Sequence, residues 1–118
     1  MDKIFINQLG FDCIIGIYAR ERIEPQPLLI DLEMACDIRP AAENNDLDAS
    51  LNYAAISESV ISFCQQAQAE LLETLAEQLW AHLKSEFGIL GIRLTIHKPN
   101  AVPEAKSVGV SITRGDFS

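Results

Sequence analysis

The segment Leu28–Ile38 constrains the fold more than any other stretch of the chain. Every second residue from Leu28 to Ile38 is apolar, and Asp31, Glu33 and Asp37 lie at the positions between them. Because neighbouring side chains of a strand point to opposite faces, this period of two predicts a β-strand with one buried face and one face in water.

The remaining apolar patterns predict three more strands and two helices. Gly88 follows the second helix and suits a helix C-terminus. Ala19–Pro27 contains two prolines and predicts a loop, and the polar run Arg39–Ser50 predicts a loop or a short turn. The other predicted elements are a strand Lys3–Tyr18 with a bend near Gly10, helices from about Asn52 to Ala67 and from about Leu71 to Phe87, and strands over Ile92–His97 and Val108–Thr113.

This order of elements predicts an α+β fold with two helices on one face of an antiparallel four-stranded sheet. No repeat, low-complexity run or linker interrupts the 118 residues, so we expect one domain over residues 1–118. Four strands leave two unpaired edges. A symmetric ring of subunits would join the sheets into a barrel and remove those edges, so we expect a homo-oligomer.

Composition and charge narrow the classes of partner. Nine Lys and Arg against 17 Asp and Glu give a net charge of −8, which disfavours nucleic acids and anionic membranes. No apolar stretch reaches the ~20 residues of a membrane span and the N-terminus has no secretory signal, so we expect a cytoplasmic protein. The spacing of the three cysteines and two histidines predicts buried, reduced thiols and no metal site.

Lys98 is the residue that most suggests catalysis. It continues the apolar positions of the strand Ile92–His97, just before Pro99 ends that strand. Desolvation among apolar neighbours disfavours the charged form of a lysine, which is the usual route to a lysine general base. The alternative is a strand-end lysine whose amine extends into water.

Three further residues have a structural and a functional interpretation. Glu73 lies in the first turn of the second helix. It is either a solvated glutamate that the helix dipole stabilises, or a carboxylate that accepts two hydrogen bonds from the N–H groups of an amidine-like ligand edge. Tyr53 begins the first helix on its apolar face, where it packs in the core or relays a proton. Glu21 lies in a loop, either solvated or functional.

Together and in order, these residues resemble the dihydroneopterin aldolase family of the folate pathway. The resemblance spans essentially the whole chain and includes the order of the elements. It implies the ββααββ tunnelling fold, in which subunits form a ring and two rings stack into an octamer with active sites between subunits. It rests on Ile15–Glu21, Leu51–Tyr53, Leu71–Glu77, Lys98–Val102 and Val108–Ile112.

The resemblance also implies a reaction. Members of this family cleave 7,8-dihydroneopterin by a retro-aldol reaction into 6-hydroxymethyl-7,8-dihydropterin and glycolaldehyde, and they can epimerise C2′ of the side chain. They use no metal, no cofactor and no Schiff base. Two alternatives stay open, a dihydroneopterin triphosphate 2′-epimerase of the same fold and a non-catalytic pterin-binding assembly domain.

The pterin-binding residues of the family match five positions of this sequence. The resemblance implies that Glu73 anchors the pterin through the two-donor edge formed by its 2-amino and N3–H groups. The backbone at Leu72 and Thr74 adds contacts to the ring. Asn52 and Ile17 line the pterin slot.

The catalytic residues match three further positions. Lys98 corresponds to the lysine that transfers protons, and Tyr53 to a tyrosine supplied by the neighbouring subunit. Glu21 corresponds to the glutamate that orients the lysine or the side-chain hydroxyls. Gln26 also has a counterpart in the family, and its role stays open.

Overall fold

The computed structural model describes residues 1–118 and shows the predicted α+β fold. Four antiparallel strands lie in the order β1-β2-β3-β4, so neighbours in the sequence are neighbours in the sheet. No helix is both long enough and apolar enough to span a membrane. The elements are β1 (Asp2–Cys13), a 3₁₀ helix (Ala19–Arg22), β2 (Gln26–Cys36), α1 (Arg39–Asn44), a second 3₁₀ helix (Leu47–Ala49), α2 (Tyr53–Ala67), α3 (Leu72–Phe87), β3 (Gly91–Lys98) and β4 (Val108–Gly115).

The core lies between one face of the sheet and the helices α2 and α3. The alternation is confirmed from Leu28 to Met34, where every second residue is fully buried and Leu32, for example, pairs with the buried Leu94 of β3. The strand ends at Cys36 rather than at Ile38, which is exposed just before α1. Burying apolar side chains is the main favourable contribution to folding. The fully buried core residues of these elements include Leu28, Ile30, Leu32, Met34, Ile56, Val60, Leu75, Leu79, Leu83, Ile92, Leu94 and Ile96.

The ends of the two long helices follow from their sequence. Asn52 precedes α2 and its side-chain oxygen accepts a hydrogen bond of 3.0 Å from the N–H of Ala55, as an N-cap does. Gly88 ends α3 with a positive φ of 63°, and its N–H donates to the carbonyl of Lys84. The predicted helix boundaries therefore agree with the structure to within one residue.

The bend of β1 and its end differ from the prediction. The irregularity lies between Ile6 and Leu9 and not at Gly10, which pairs regularly with Leu29. Gln8 has a φ of 53° there, and its N–H donates to a carboxylate oxygen of Asp31 on β2. β1 ends at Cys13 rather than Tyr18, because the chain leaves the sheet before Gly16, whose φ is 123°.

Two segments predicted as loops contain short helices. Ala19–Arg22 forms a 3₁₀ helix ahead of Pro25, and β2 already begins at Gln26 because it pairs with the end of β1. Arg39–Asn44 forms α1, whose first turn accommodates Pro40 because the first residues of a helix need no intrahelical N–H donor.

The three cysteines are free, and two of them lie in the core. Burial raises the pKa of the Cys13 thiol to about 11 and that of the Cys64 thiol to about 12. Both thiols therefore stay protonated and unreactive at neutral pH, which is typical of cysteines that pack in a core. The predicted burial is wrong for Cys36, which is only half-buried at the end of β2.

Candidate active site

A cleft of about 720 Å³ opens at one end of the molecule. The first 3₁₀ helix, the start of β2, the end of β3 and the N-terminus of α3 meet around it. Its position follows from the fold, because these four chain segments all terminate or begin at the same end of the sheet. The lining residues are Gly16, Ile17, Tyr18, Arg20, Glu21, Glu24, Pro25, Gln26, Pro27, Glu70, Leu71, Leu72, Glu73, Lys98, Asn100, Ala101 and Val108.

Lys98 and Glu21 form an ion pair in the wall of this cleft. The Lys98 Nζ lies 2.6 Å from Glu21 Oε2, and only 12% of the lysine side chain and 18% of the glutamate side chain are exposed. Lys98 is thus not a lysine that extends into water. Its surroundings also differ from the purely apolar ones predicted, because a carboxylate faces the ammonium.

The Glu21 carboxylate is held by three donors. Besides Lys98, the side-chain amide of Gln26 donates to Oε2 over 3.0 Å, and the N–H of Tyr18 donates to Oε1 over 3.2 Å. Gln26 also donates to the carbonyl of Ile15, which fixes its own orientation. The hydrogen bond from Lys98, followed by that from Gln26, lowers the pKa of Glu21 from 4.5 to about 2. Glu21 is therefore a permanent anion at neutral pH.

Gly16 makes room for this carboxylate. Its φ of 123° is a conformation that favours glycine, and a Cβ at this position would collide with the carboxyl group of Glu21. The glycine of the Ile15–Glu21 stretch is therefore required both by the backbone and by the site. The sequence alone shows the glycine but not its contact with Glu21.

Glu73 also lines the cleft and has no side-chain partner within the chain. It is exposed in the first turn of α3, beside Leu72. Leu71 precedes the helix without capping it through a side chain, so the first-turn N–H groups are also free to donate. A free carboxylate beside free N–H groups can bind a flat ligand that presents both donors and acceptors.

The structure brings together some of the predicted site residues and leaves others apart. Asn52 and Thr74 do not line the cleft, and the side chain of Asn52 caps α2. Tyr53 does not line it either, and the predicted packing of Tyr53 in the core is wrong, because 63% of the residue is exposed at the start of α2. The predicted residues that line the cleft are Ile17, Glu21, Leu72, Glu73 and Lys98.

The lining of the cleft contains four carboxylates and two cations. The cations are both paired, Lys98 with Glu21 and Arg20 with Glu24 at 3.1 Å, whereas Glu70 and Glu73 have no cationic partner. The cleft therefore has no unpaired positive charge. This balance disfavours a ligand with several negative charges.

Comparison with known proteins identifies relatives along nearly the whole chain. A family model described as dihydroneopterin aldolase matches residues 4–113. The dihydroneopterin aldolase of Haemophilus influenzae is 38% identical over 115 residues, which cover 98% of each chain.

Two crystal structures share the fold closely. The Escherichia coli dihydroneopterin aldolase in complex with neopterin is 41% identical and superimposes with a TM-score of 0.93, covering 98% of this chain and 100% of the other. The Vibrio cholerae FolB protein is 40% identical with a TM-score of 0.95, covering 98% of both chains.

Proposed function

The chain belongs to the dihydroneopterin aldolase family, and from this premise we propose how its cleft cleaves 7,8-dihydroneopterin in folate biosynthesis. The observation that supports the proposal most is that the Lys98–Glu21 ion pair and the unpaired Glu73, from separate segments of the chain, line one cleft. The ion pair includes a group that can transfer protons. Glu73 is a group that can hold a pterin.

The pterin ring binds through Glu73. Its carboxylate accepts two hydrogen bonds from the 2-amino and N3–H groups of the pterin, and such charge-assisted pairs are stronger than neutral ones. The free backbone N–H of Leu72 complements an acceptor atom of the ring, whereas Thr74 lies outside the lining of the cleft. Ile17 and Leu72 contact its flat faces, since both line the cleft.

The cleavage breaks the C1′–C2′ bond of the substrate side chain. The 2′-hydroxyl loses its proton, C2′ becomes the aldehyde carbon of glycolaldehyde, and the electron pair of the broken bond forms an enamine through C1′, C6 and N5. The pterin ring thus serves as the electron sink. Protonation of C1′ and return of the electrons from N5 then give 6-hydroxymethyl-7,8-dihydropterin.

Lys98 moves the proton that this sequence of steps requires. One proton leaves the 2′-hydroxyl and one arrives at C1′, so a single amine can pass it between them through water. Glu21 holds that amine at the cleft wall through the ion pair. Its lowered pKa keeps the Glu21 carboxylate charged at neutral pH. Gln26 positions the Glu21 carboxylate and so acts on Lys98 only indirectly.

A neighbouring subunit completes the site. Tyr53 is exposed at the start of α2, away from the cleft of its own chain, so its phenol is free to enter the cleft of another copy. The unpaired edges of β1 and β4 allow copies to join into a ring. We therefore propose a homo-oligomer of stacked rings, an octamer, with Tyr53 and the adjacent Asn52 contributed across the interface.

The charge of the cleft favours the aldolase over an epimerase of the triphosphate. A triphosphate brings several negative charges, and the lining offers no unpaired cation to receive them. The trihydroxypropyl side chain of dihydroneopterin is neutral. Hydrogen-bonding groups such as Asn100 and Lys98 suit its hydroxyls.

Product analysis tests the proposed function. Purified protein is incubated with 7,8-dihydroneopterin, and glycolaldehyde, 6-hydroxymethyl-7,8-dihydropterin and the C2′ epimer are quantified by chromatography. Stoichiometric release of the two cleavage products supports the aldolase. Epimerisation of the triphosphate without cleavage would show the epimerase instead, and pterin binding without any turnover would show a binding domain.

A further inference from the structure

The side chain of Arg22 links two segments of the chain that lead into the cleft lining, the turn at Gly16 and the two residues before Glu70. Its Nη1 donates to the carbonyls of Gly16, over 3.0 Å, and Ala69, over 3.1 Å, and its Nη2 donates to the carbonyl of Gln68 over 2.6 Å. Arg22 is half-buried and does not line the cleft. All of its hydrogen bonds are to backbone carbonyls, and it forms no ion pair.

The two walls belong to distant parts of the chain. The first wall is Gly16–Glu21, which holds the Glu21 carboxylate against Lys98, and the second wall is Glu70–Glu73. Only one backbone hydrogen bond outside the helices and strands joins the first wall to the residues that lead into the second, from the N–H of Gly16 to the carbonyl of Ala69, over 3.2 Å. The guanidinium of Arg22 therefore supplies most of the polar contact between them.

The acceptors of Arg22 suit a guanidinium in particular. Gln68 ends α2 in the left-handed conformation, and the carbonyls there have no partner within the helix. They also lie at the negative end of the helix dipole, which favours a cation. The five donors of a guanidinium are spread over three nitrogens in a fixed plane, whereas the three donors of a lysine all radiate from one nitrogen, so arginine suits carbonyls that are reached from two separate nitrogens.

We infer that Arg22 is a positioning residue that sets the separation between the Lys98–Glu21 pair and Glu73. The inference rests on the proposed function, because only a substrate that spans both walls responds to their separation. Glu73 fixes the ring, and the side chain must then reach Lys98 in a reactive geometry. A misplacement of about 1 Å between such groups costs about 100-fold in rate.

The test compares turnover with the binding of a ring that has no side chain. Guanine is the probe, because it presents the same two-donor edge to Glu73 but does not extend to Lys98. For Arg22→Ala we expect kcat for dihydroneopterin to fall by about 10- to 100-fold, the effect of a small misalignment. The Kd for guanine, measured by calorimetry, should stay within about threefold, less than the loss of one neutral hydrogen bond.

Rescue and control variants make the test specific. Added methylguanidinium should restore part of the kcat of Arg22→Ala, because it refills the site of the lost donors. Arg22→Lys keeps the charge but not the planar donors, and we expect kcat to fall about tenfold, the equivalent of one or two neutral hydrogen bonds. Arg39→Ala removes an exposed arginine whose side chain binds only Asp37, and it should keep the wild-type kcat.

Two results would overturn the inference. One is an Arg22→Ala protein with wild-type kcat. The other is a loss of guanine affinity as large as the loss of kcat, without rescue by methylguanidinium, which would show a general structural role. If Arg22→Ala does not fold, the same comparison is made with Arg22→Lys. Failure of the proposed function gives a different result from failure of this inference, because the wild-type protein itself would then release no glycolaldehyde.

Discussion

Glu21 and Lys98 lie 77 positions apart in the sequence and are joined by a hydrogen bond of 2.6 Å at the wall of the cleft. The 3₁₀ helix after β1 supplies one partner, and the last residue of β3 supplies the other. A bond of this length between charged groups fixes the amine in a defined place. The proposed chemistry requires that placement.

Replacing Lys98 by alanine should abolish most of the turnover. We expect kcat for dihydroneopterin to fall by about 10²- to 10⁴-fold, the usual contribution of a general acid or base. Affinity for guanine, a ring without the side chain that Lys98 contacts, should stay close to that of the wild type, because Glu73 anchors the ring. Steady-state kinetics and calorimetry measure the two quantities. An Arg93→Ala control removes a basic residue of the same strand outside the cleft.

Replacing Glu73 by glutamine should weaken pterin binding rather than turnover at saturation. The substitution removes the charge and one acceptor, and hydrogen bonds to a charged group contribute about 1.5–3 kcal/mol, or about 10- to 100-fold in Kd. Glu86→Gln removes an exposed carboxylate at the far end of α3 and is the control. Unchanged neopterin affinity in Glu73→Gln would mean that another group anchors the ring.

The stability contributed by Glu21 should depend on pH. Its pKa in the folded protein is about 2, against 4.5 ordinarily, so its contribution is complete above pH 4.5 and disappears as the pH falls towards 2. The fall in pKa corresponds to at most roughly 3 to 4 kcal/mol. Urea unfolding of the wild type and of Glu21→Gln should therefore differ most above pH 5. A difference that is constant from pH 2 to 7 would contradict this prediction.

Replacing Gly16 by alanine should displace Glu21. The added Cβ collides with the carboxyl group, and the φ of 123° is unfavourable for alanine. Gly88→Ala is a matched control, since Gly88 has a φ of 63° but no atom near the added Cβ. Both variants should lose about 1 kcal/mol or more of stability from backbone strain. Only Gly16→Ala should also lose most of its kcat.

Mixing two inactive variants should restore activity if Tyr53 acts across a subunit interface. We expect Lys98→Ala and Tyr53→Ala each to have low kcat as pure proteins. When the two are unfolded together and reassembled in equal amounts, about a quarter of the sites should combine an intact Lys98 with an intact Tyr53, because the subunits associate at random. A mixture no more active than its components would place Tyr53 outside the site.

Much of the fold could be predicted from the sequence, because it follows from local patterns. The alternation of Leu28–Ile38 and the apolar stripes of α2 and α3 predict the two layers, and the Asn52 cap and Gly88 mark the helix ends. The sequence predicts the bend in β1 at Gly10, but the bend occurs at Gln8, where the carboxylate of Asp31 binds the backbone. That contact joins two strands and leaves no local signal.

The candidate site could be predicted only in part. The position of Lys98 on the buried face follows from the spacing of β3, but its pairing with Glu21 depends on the path of a segment outside the sheet. The three carbonyls that Arg22 binds come from two loops, so no spacing within the sequence reveals them. The exposure of Tyr53 depends on its place at the first residue of α2, where the helical pattern alone predicts burial.

The reactivity of the two buried thiols measures how often the sheet and the helix layer separate. Cys13 is on the sheet and Cys64 is on the helix layer, so a thiol reagent reaches them only when the layers separate. Their raised pKa values suppress reaction in the closed state. The half-buried Cys36 reacts independently of that separation, and labelling rates at these three sulfurs distinguish breathing of the layers from fraying at the surface.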